Sequence, residues 1–276
     1  MSILNKLSKG WQIAKNSLQV MQQNKQLVML PIISSTALLL ILVSFGVTAV
    51  YGFNLFDGNN GQQTNRLFVY TGIFVYYLIN YFVVVFFNVA LMHCAKLYFN
   101  GQKPTVQQGI QFSITKLSSI FKWALFAATV GTILKAIQEE SGSIGKIITG
   151  LIGMVWSIAT FFVIPIIAYE NVGPIEAFKK SSAMMKQKWG ESAGATFSLG
   201  LIQFLSIVVI AVPLFFIGST IHIAVGITLA LLAVFIIVSI ISAAQSIFVS
   251  AVYHNIQGNP VENFNNHLID HLFETK

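Results

Sequence analysis

Six runs of about twenty apolar residues, none with an Asp, Glu, Lys or Arg at its centre, decide what this chain can fold into. They cover about Leu27–Tyr51, Leu67–Leu97, Ile120–Ile137, Ile147–Ala168, Ala193–Ile217 and Ile221–Tyr253. Lipid offers a peptide group no hydrogen bonds, so such segments must satisfy their own backbone, which a helix does within itself. The expected fold class is therefore all-α, a polytopic membrane bundle of six transmembrane helices. At about 1.5 Å per residue, the second and sixth runs outreach a hydrocarbon core of about 30 Å and are expected to tilt or project. The first run starts too late for a signal peptide, although Val47-Thr48-Ala49 faintly resembles a cleavage site, and it reads as a retained span.

Composition agrees. Of 276 residues, 55% are hydrophobic and 9% charged, against about 25% charged in soluble domains. That excludes a secreted, fibrous, disordered or ordinary cytosolic protein. The single cysteine, Cys94, supports neither an intrachain disulfide nor a Cys-based metal site. A net charge of +7 would suit nucleic acid if the cations formed one patch interleaved with aromatics, but they follow the topology instead. Thirteen of the sixteen Lys and Arg fall in the N-terminal segment, the second and fourth connections and the C-terminus. Only Arg66, Lys135 and Lys146 lie on the other side, so both termini are expected in the cytoplasm.

The Lys-rich connections read alike. Tyr98, Gly101 and Pro104 follow the second run, Tyr169, Gly173 and Pro174 the fourth, and Tyr253, Gly258 and Pro260 the sixth. In each, a Tyr leaves the span, Gly permits a turn with positive φ, and Pro suits the first helical position, where no N–H is needed. Apolar residues then recur at helical spacing: Val106, Ile110, Ile114, Leu117 and Phe121; Ile175, Phe178, Met185 and Trp189; Val261, Phe264, Leu268 and Leu272. Leu4, Leu7, Trp11, Ala14 and Leu18 form a comparable face at the N-terminus. These segments are expected to be interfacial amphipathic helices, lying flat with Lys6, Lys9, Lys116, Lys179, Lys180, Lys186 and Lys188 toward lipid headgroups. The chain then reads as one integral membrane domain, 1–276, with a threefold internal repeat of about 1–98, 99–169 and 170–253 and a C-terminal interfacial helix over 254–276.

The stretch from Gly173-Pro174 through Glu176-Ala177, Lys179-Lys180-Ser181, Lys186 and Lys188-Trp189-Gly190 resembles the repeated element of an uncharacterised bacterial family of multi-pass membrane proteins. More distantly it is similar to the membrane domain attached to some glycerophosphoryl diester phosphodiesterases. The likeness is strongest over roughly Ile147 to Phe204. It implies an all-α bundle in a bacterial cytoplasmic (inner) membrane. It supplies no catalytic residues, because the chemistry of those phosphodiesterases lies in a separate soluble domain.

Ionisable groups at membrane depth cost about 2.5 to 3.5 kcal/mol each and so mark proton relays and ion sites. The acids here, Asp57, Glu139, Glu140, Glu170, Glu176, Glu191, Glu262, Asp270 and Glu274, all sit in connections or the tail. P-loop, GxSxG, HExxH and dinucleotide fingerprints are missing. His267 and His271 share a helical face but make only two ligands, and His93, His222 and His254 sit near span ends, so no cofactor or metal is expected. Asn80, Asn88, Gln203 and Gln245 do reach membrane depth, either as interhelical hydrogen bonds or as the lining of a polar path. Small-residue stripes predict close helix packing: Ala124, Ala128 and Gly131; Gly150, Gly153, Ser157 and Thr160; Gly190, Gly194 and Ser198; Ser239, Ser242, Ser246 and Ser250. Pro31, Pro165 and Pro213 are candidate kinks.

The leading functional expectation is a non-enzymatic membrane scaffold or lipid-interacting module whose partners are membrane lipids, with a homo-oligomer or a partner membrane protein as further possibilities. The alternative is a channel or facilitator for a small neutral or lipid-like solute. An enzyme ranks third, because only Glu170, Glu176 and Glu191 with His93 and His254 could assemble an interfacial acid–base cluster.

Overall fold

A computed structural model describes residues 15–52, 66–140, 142–258 and 261, with backbone only at 49–52, 66, 68, 142–144 and 187–198. Among the described residues ten helices follow one another: α1 (residues 15–23), α2 (Gln26–Gly52), α3 (Arg66–Phe99), α4 (Val106–Thr115), α5 (Leu117–Glu140), α6 (Gly142–Ala159), α7 (Val163–Tyr169), α8 (Pro174–Ser206), α9 (Val212–Ser219) and α10 (Ile223–Ile256). One π-helical turn, Ile207–Ala211, joins α8 to α9. Among the described residues there is no strand, and six helices are long and apolar enough to cross a membrane. The all-α, six-span architecture is the expected one. At 34 residues each, α3 and α10 extend about 51 Å, well beyond a core of about 30 Å.

The central element is α3, against which α2, α4, α5, α7 and α10 all pack. Two buried clusters surround its second half. One joins Val89 and Met92 to Trp123, Phe162, Ile166, Phe248 and Val252, and the other joins Leu91 and Ala95 to Val20, Leu27, Leu30, Ala244 and Ile247. Leu40, Val209, Ile217 and Leu231, by contrast, remain largely exposed, as suits a surface whose solvent is lipid.

Small residues set the close contacts, but not at every stripe expected. Ala124 and Ala128 are buried, and a Cβ on Gly131 would lie 3.3 Å from the Tyr77 ring, so that face is the α5–α3 seam. The stripe at Gly150 and Gly153 is not a seam within the chain, since a Cβ on either would meet nothing within 4 Å. Instead α6 packs through Trp156, which stacks on Trp123 at 6.0 Å and on Phe178 at 5.4 Å between ring centroids. On the serine face of α10, Ser239 bonds to Ser35 and Ser246 to Asn88. Gly190, Gly194 and Ser198 are described by their backbone alone, and the packing of that stripe lies outside the described residues.

Two of the three prolines sit at breaks. The fourth span divides into α6 and α7 at residues 160–162, just before Pro165. The Phe162 N–H, freed from the helix, donates to Ser181 Oγ at 3.0 Å, and both residues are fully buried. Pro213 comes two residues after the π-helical turn, whose wider coil relieves the clash of a proline ring with the preceding turn. Pro31 lies inside α2, which continues through it.

The repeated turns agree only in part. Gly101 and Gly258 do adopt positive φ, +76° and +80°. Gly173 does not: it is an N-cap with φ −72°. Pro174 opens α8 as expected, but Pro104 precedes the N-cap of α4, where Thr105 and Gln108 form a reciprocal capping box. Pro260 lies outside the described residues.

The short helices also pack on the bundle, through contacts that their apolar stripes did not announce. Cys94 Sγ lies 3.4 Å from the Thr105 carbonyl, a Cβ on Gly109 would be 2.9 Å from the Ala90 carbonyl oxygen, and Ser113 Oγ donates to the Phe86 carbonyl at 2.9 Å. So α4 runs back antiparallel along α3, inserting Gly109 and Ser113 and leaving Ile114, Leu117 and Phe121 exposed. Small residues permit this approach, which an apolar stripe on the membrane surface would not require. The segment from Pro174 behaves similarly, packing Ala177 and Ser181 against α7 and continuing without interruption into the fifth span. The N-terminal face over Leu4 to Ala14 and the C-terminal helix lie outside the described residues.

Candidate functional site

Where α3 and α10 end and α7 turns into α8, charged and aromatic side chains converge around a cavity of about 250 Å³. Helix termini position each of them. Lys96 is in the last turn of α3, Glu170 caps α7, Lys180 lies in the second turn of α8, and Tyr253 and His254 occupy the last turn of α10, followed by Gln257.

The Tyr253 hydroxyl donates to Glu170 Oε1 at 2.7 Å, and Gln257 Nε2 donates to the Tyr253 oxygen at 3.0 Å. Lys180 forms an ion pair with Glu170 Oε2. Both carboxylate oxygens of Glu170 are therefore engaged. The Tyr169 hydroxyl donates to the Met92 carbonyl at 2.9 Å, its ring stacks on Tyr253 at 5.9 Å, and Lys96 Nζ stands 4.6 Å from its centroid. Lys96 has no carboxylate partner among the described residues, and the aromatic face beneath it compensates only part of a desolvated charge. In the cavity wall, His254 is buried with Nε2 lacking a hydrogen-bond partner.

Of the lysines expected at headgroups, Lys180 lines this cavity, Lys116 donates to Asn171 Oδ1 at 3.0 Å, and Lys179 and Lys186 are exposed. Lys6, Lys9 and Lys188 lie outside the described residues. Of the candidate acid–base groups among the described residues, only Glu170 and His254 share the cavity, with no hydrogen bond between them, and the Glu191 side chain lies outside the described residues. His93 instead stacks on Phe112 with centroids 3.9 Å apart, and Glu176 is exposed. Among the described residues no three His, Cys, Asp or Glu side chains converge as a metal site would require. Lys96, Tyr169, Tyr253 and Gln257 were not expected as site residues. The tyrosines did carry a signal, as the residues that end successive spans.

A second cavity, of about 230 Å³, lies further along α3 and α10 and is lined by Asn88, Ser157, Phe161, Ser242, Gln245 and Ser246, among others. It unites two of the four polar residues expected at depth. Asn80 donates to the carbonyl of Tyr76 in its own helix, and neither it nor Gln203 lines this space. A wider opening of about 1060 Å³ separates the α1–α2 turn from residues 100–105. That opening is bordered by Val261, the last described residue.

Comparison with curated proteins returns no match. A family of unknown function, DUF6159, matches residues 67–260, from the first turn of α3 to just past α10, and the chain belongs to that family.

Proposed function

We propose that this multi-pass membrane protein is a non-enzymatic, lipid-interacting module that holds the phosphate of an anionic lipid headgroup between Lys96 and Lys180. The observation that carries this reading is the charge imbalance of the end cavity, where two lysines face one carboxylate whose oxygens are already engaged. An anion beside Lys96 restores neutrality, with the Gln257 amide as a further donor. A zwitterionic headgroup fits less well, because its ammonium group finds no free carboxylate among the described residues of the cavity. The Lys-rich end is the cytoplasmic one under the positive-inside rule, and anionic lipids concentrate in that leaflet.

A binding role is favoured over catalysis because Glu170, the one carboxylate among the described residues of the cavity, is committed to Tyr253 and Lys180, and His254, the remaining acid–base group there, makes no hydrogen bond to a nucleophile. The threefold repeat belongs to the same proposal. Gly109 and Ser113 stand four and eight residues after the N-cap Thr105, and Ala177 and Ser181 stand four and eight after Gly173, and all four are buried. Each pair is the face that docks a Lys-bearing helix on the bundle.

The test is retention of phosphatidylglycerol against phosphatidylcholine by the purified full chain, read by native mass spectrometry. A charge-assisted hydrogen bond contributes about 1.5 to 3 kcal/mol, so Lys96→Gln is expected to weaken phosphatidylglycerol retention about tenfold or more. Lys179→Gln, at an exposed position, should change it little. Equal retention of both lipids by the wild type, or unchanged retention by Lys96→Gln, would overturn the reading.

A further inference from the structure

We infer that the inner cavity between α3, α6 and α10 is a binding site for a small uncharged polyol of about glycerol size. This goes beyond the headgroup reading and rests on different residues. Asn88 and Gln245 each lie eleven residues, about 16 Å, before the ends of α3 and α10, within the candidate spans rather than at their edges.

Polar groups at that depth must find hydrogen bonds in the chain or in an occupant, because lipid supplies none. Asn88 finds them in the chain: Nδ2 donates to the Val84 carbonyl at 2.8 Å, and Oδ1 accepts from Ser246 at 2.6 Å. The Ser157 hydroxyl donates to the Gly153 carbonyl at 3.0 Å and keeps its lone pairs free. Gln245 and Ser242 make no side-chain hydrogen bond to a described residue, yet both line the cavity.

The wall thus offers an amide with two donors and an acceptor, a free hydroxyl, and further acceptor capacity, but no charge. An ionic ligand would be left without a counter-charge, since the nearest lysine on α3, Lys96, is eight residues or about 12 Å further along the helix. Hydroxyl groups, which donate and accept alike, match the inventory. The volume of about 230 Å³ equals roughly seven waters at about 30 Å³ each, enough for a six-heavy-atom polyol and too small for a disaccharide.

The experiment places a cysteine in the wall by Ser242→Cys, and separately across the cavity by Ser157→Cys, in a Cys94→Ser background. The full chain sits in phosphatidylcholine nanodiscs, so a charged headgroup plays no part and the two proposals fail independently. Labelling by methyl methanethiosulfonate is followed with glycerol, with sucrose or with neither. Glycerol should slow labelling about threefold once its concentration is about twice its dissociation constant. Sucrose at equal concentration should leave the rate unchanged, and Gln245→Leu should abolish the glycerol effect. Slowing by both solutes, slowing by neither, persistence of the glycerol effect in Gln245→Leu, or no labelling at either cysteine would overturn the inference.

Discussion

Alanine at Gly226 is expected to destabilise the hairpin of α9 and α10 by about 2 kcal/mol or more. A Cβ on Gly226 would lie 2.6 Å from the Phe215 carbonyl oxygen and 2.9 Å from the Ser219 nitrogen, while one on the facing Gly218 would lie 2.7 Å from the Gly226 Cα. These are backbone atoms of packed helices, so no side chain can rotate to make room. Replacing a helical glycine by alanine gains at most about 1 kcal/mol in backbone entropy. Overpacking typically costs about 1 to 3 kcal/mol and here belongs at the upper end or beyond, so the clash wins. Gly46→Ala and Gly72→Ala supply the contrast, since a Cβ at either position meets nothing within 4 Å. Thermal unfolding in detergent, followed by circular dichroism, should place Gly226→Ala well below the wild type and both controls at or slightly above it. A wild-type melting temperature for Gly226→Ala would refute the close approach of the two helices.

Removing the Ser181 hydroxyl is the other large effect. Its oxygen is the only acceptor within reach of the Phe162 N–H among the described residues, at the break between α6 and α7. Ser181→Ala strands that donor in a fully buried position, at a cost of about 1 to 3 kcal/mol. The neighbouring Ser182 is the internal control: its hydroxyl bonds to the Phe178 carbonyl in its own helix and braces nothing else. Such back-bonding slightly weakens a helix, so Ser182→Ala should be neutral or mildly stabilising. Chemical denaturation in mixed micelles should separate the two alanine variants. Coincident transitions for both would mean that Ser181 does not hold the break.

How legible each feature was depended on how local its cause is. The six spans could be read because hydropathy is a sum over neighbouring residues, and the seam at Ala124, Ala128 and Gly131 because helical periodicity is local too. The break before Pro165 was visible as a proline, but its repair by Ser181, nineteen residues on, was not. What docks α4 was hidden for the same reason. The stripe Val106, Ile110, Ile114 was conspicuous, while the determining contact is Gly109 against Ala90 and Cys94 of another helix. At the end cavity, Glu170 and His254 were noticed as candidate acid–base groups and Lys180 as a headgroup lysine. Their association with Lys96 and Tyr253 depends on three helix ends meeting.

Sequence by itself determined that the chain is an all-helical, six-span membrane protein with its cations gathered toward one face, because lipid forces every spanning segment to satisfy its own backbone and makes charge at depth costly. Tertiary structure alone decided which polar residues meet. It placed Asn88 with Gln245 and left Asn80 and Gln203 outside their cavity, and it paired Glu170 with Lys180 and Tyr253 while leaving Lys96 without a carboxylate among the described residues. The reason is that hydrogen bonds and ion pairs act over a few ångströms between helices distant in the chain, and neither hydropathy nor spacing along one helix records that distance.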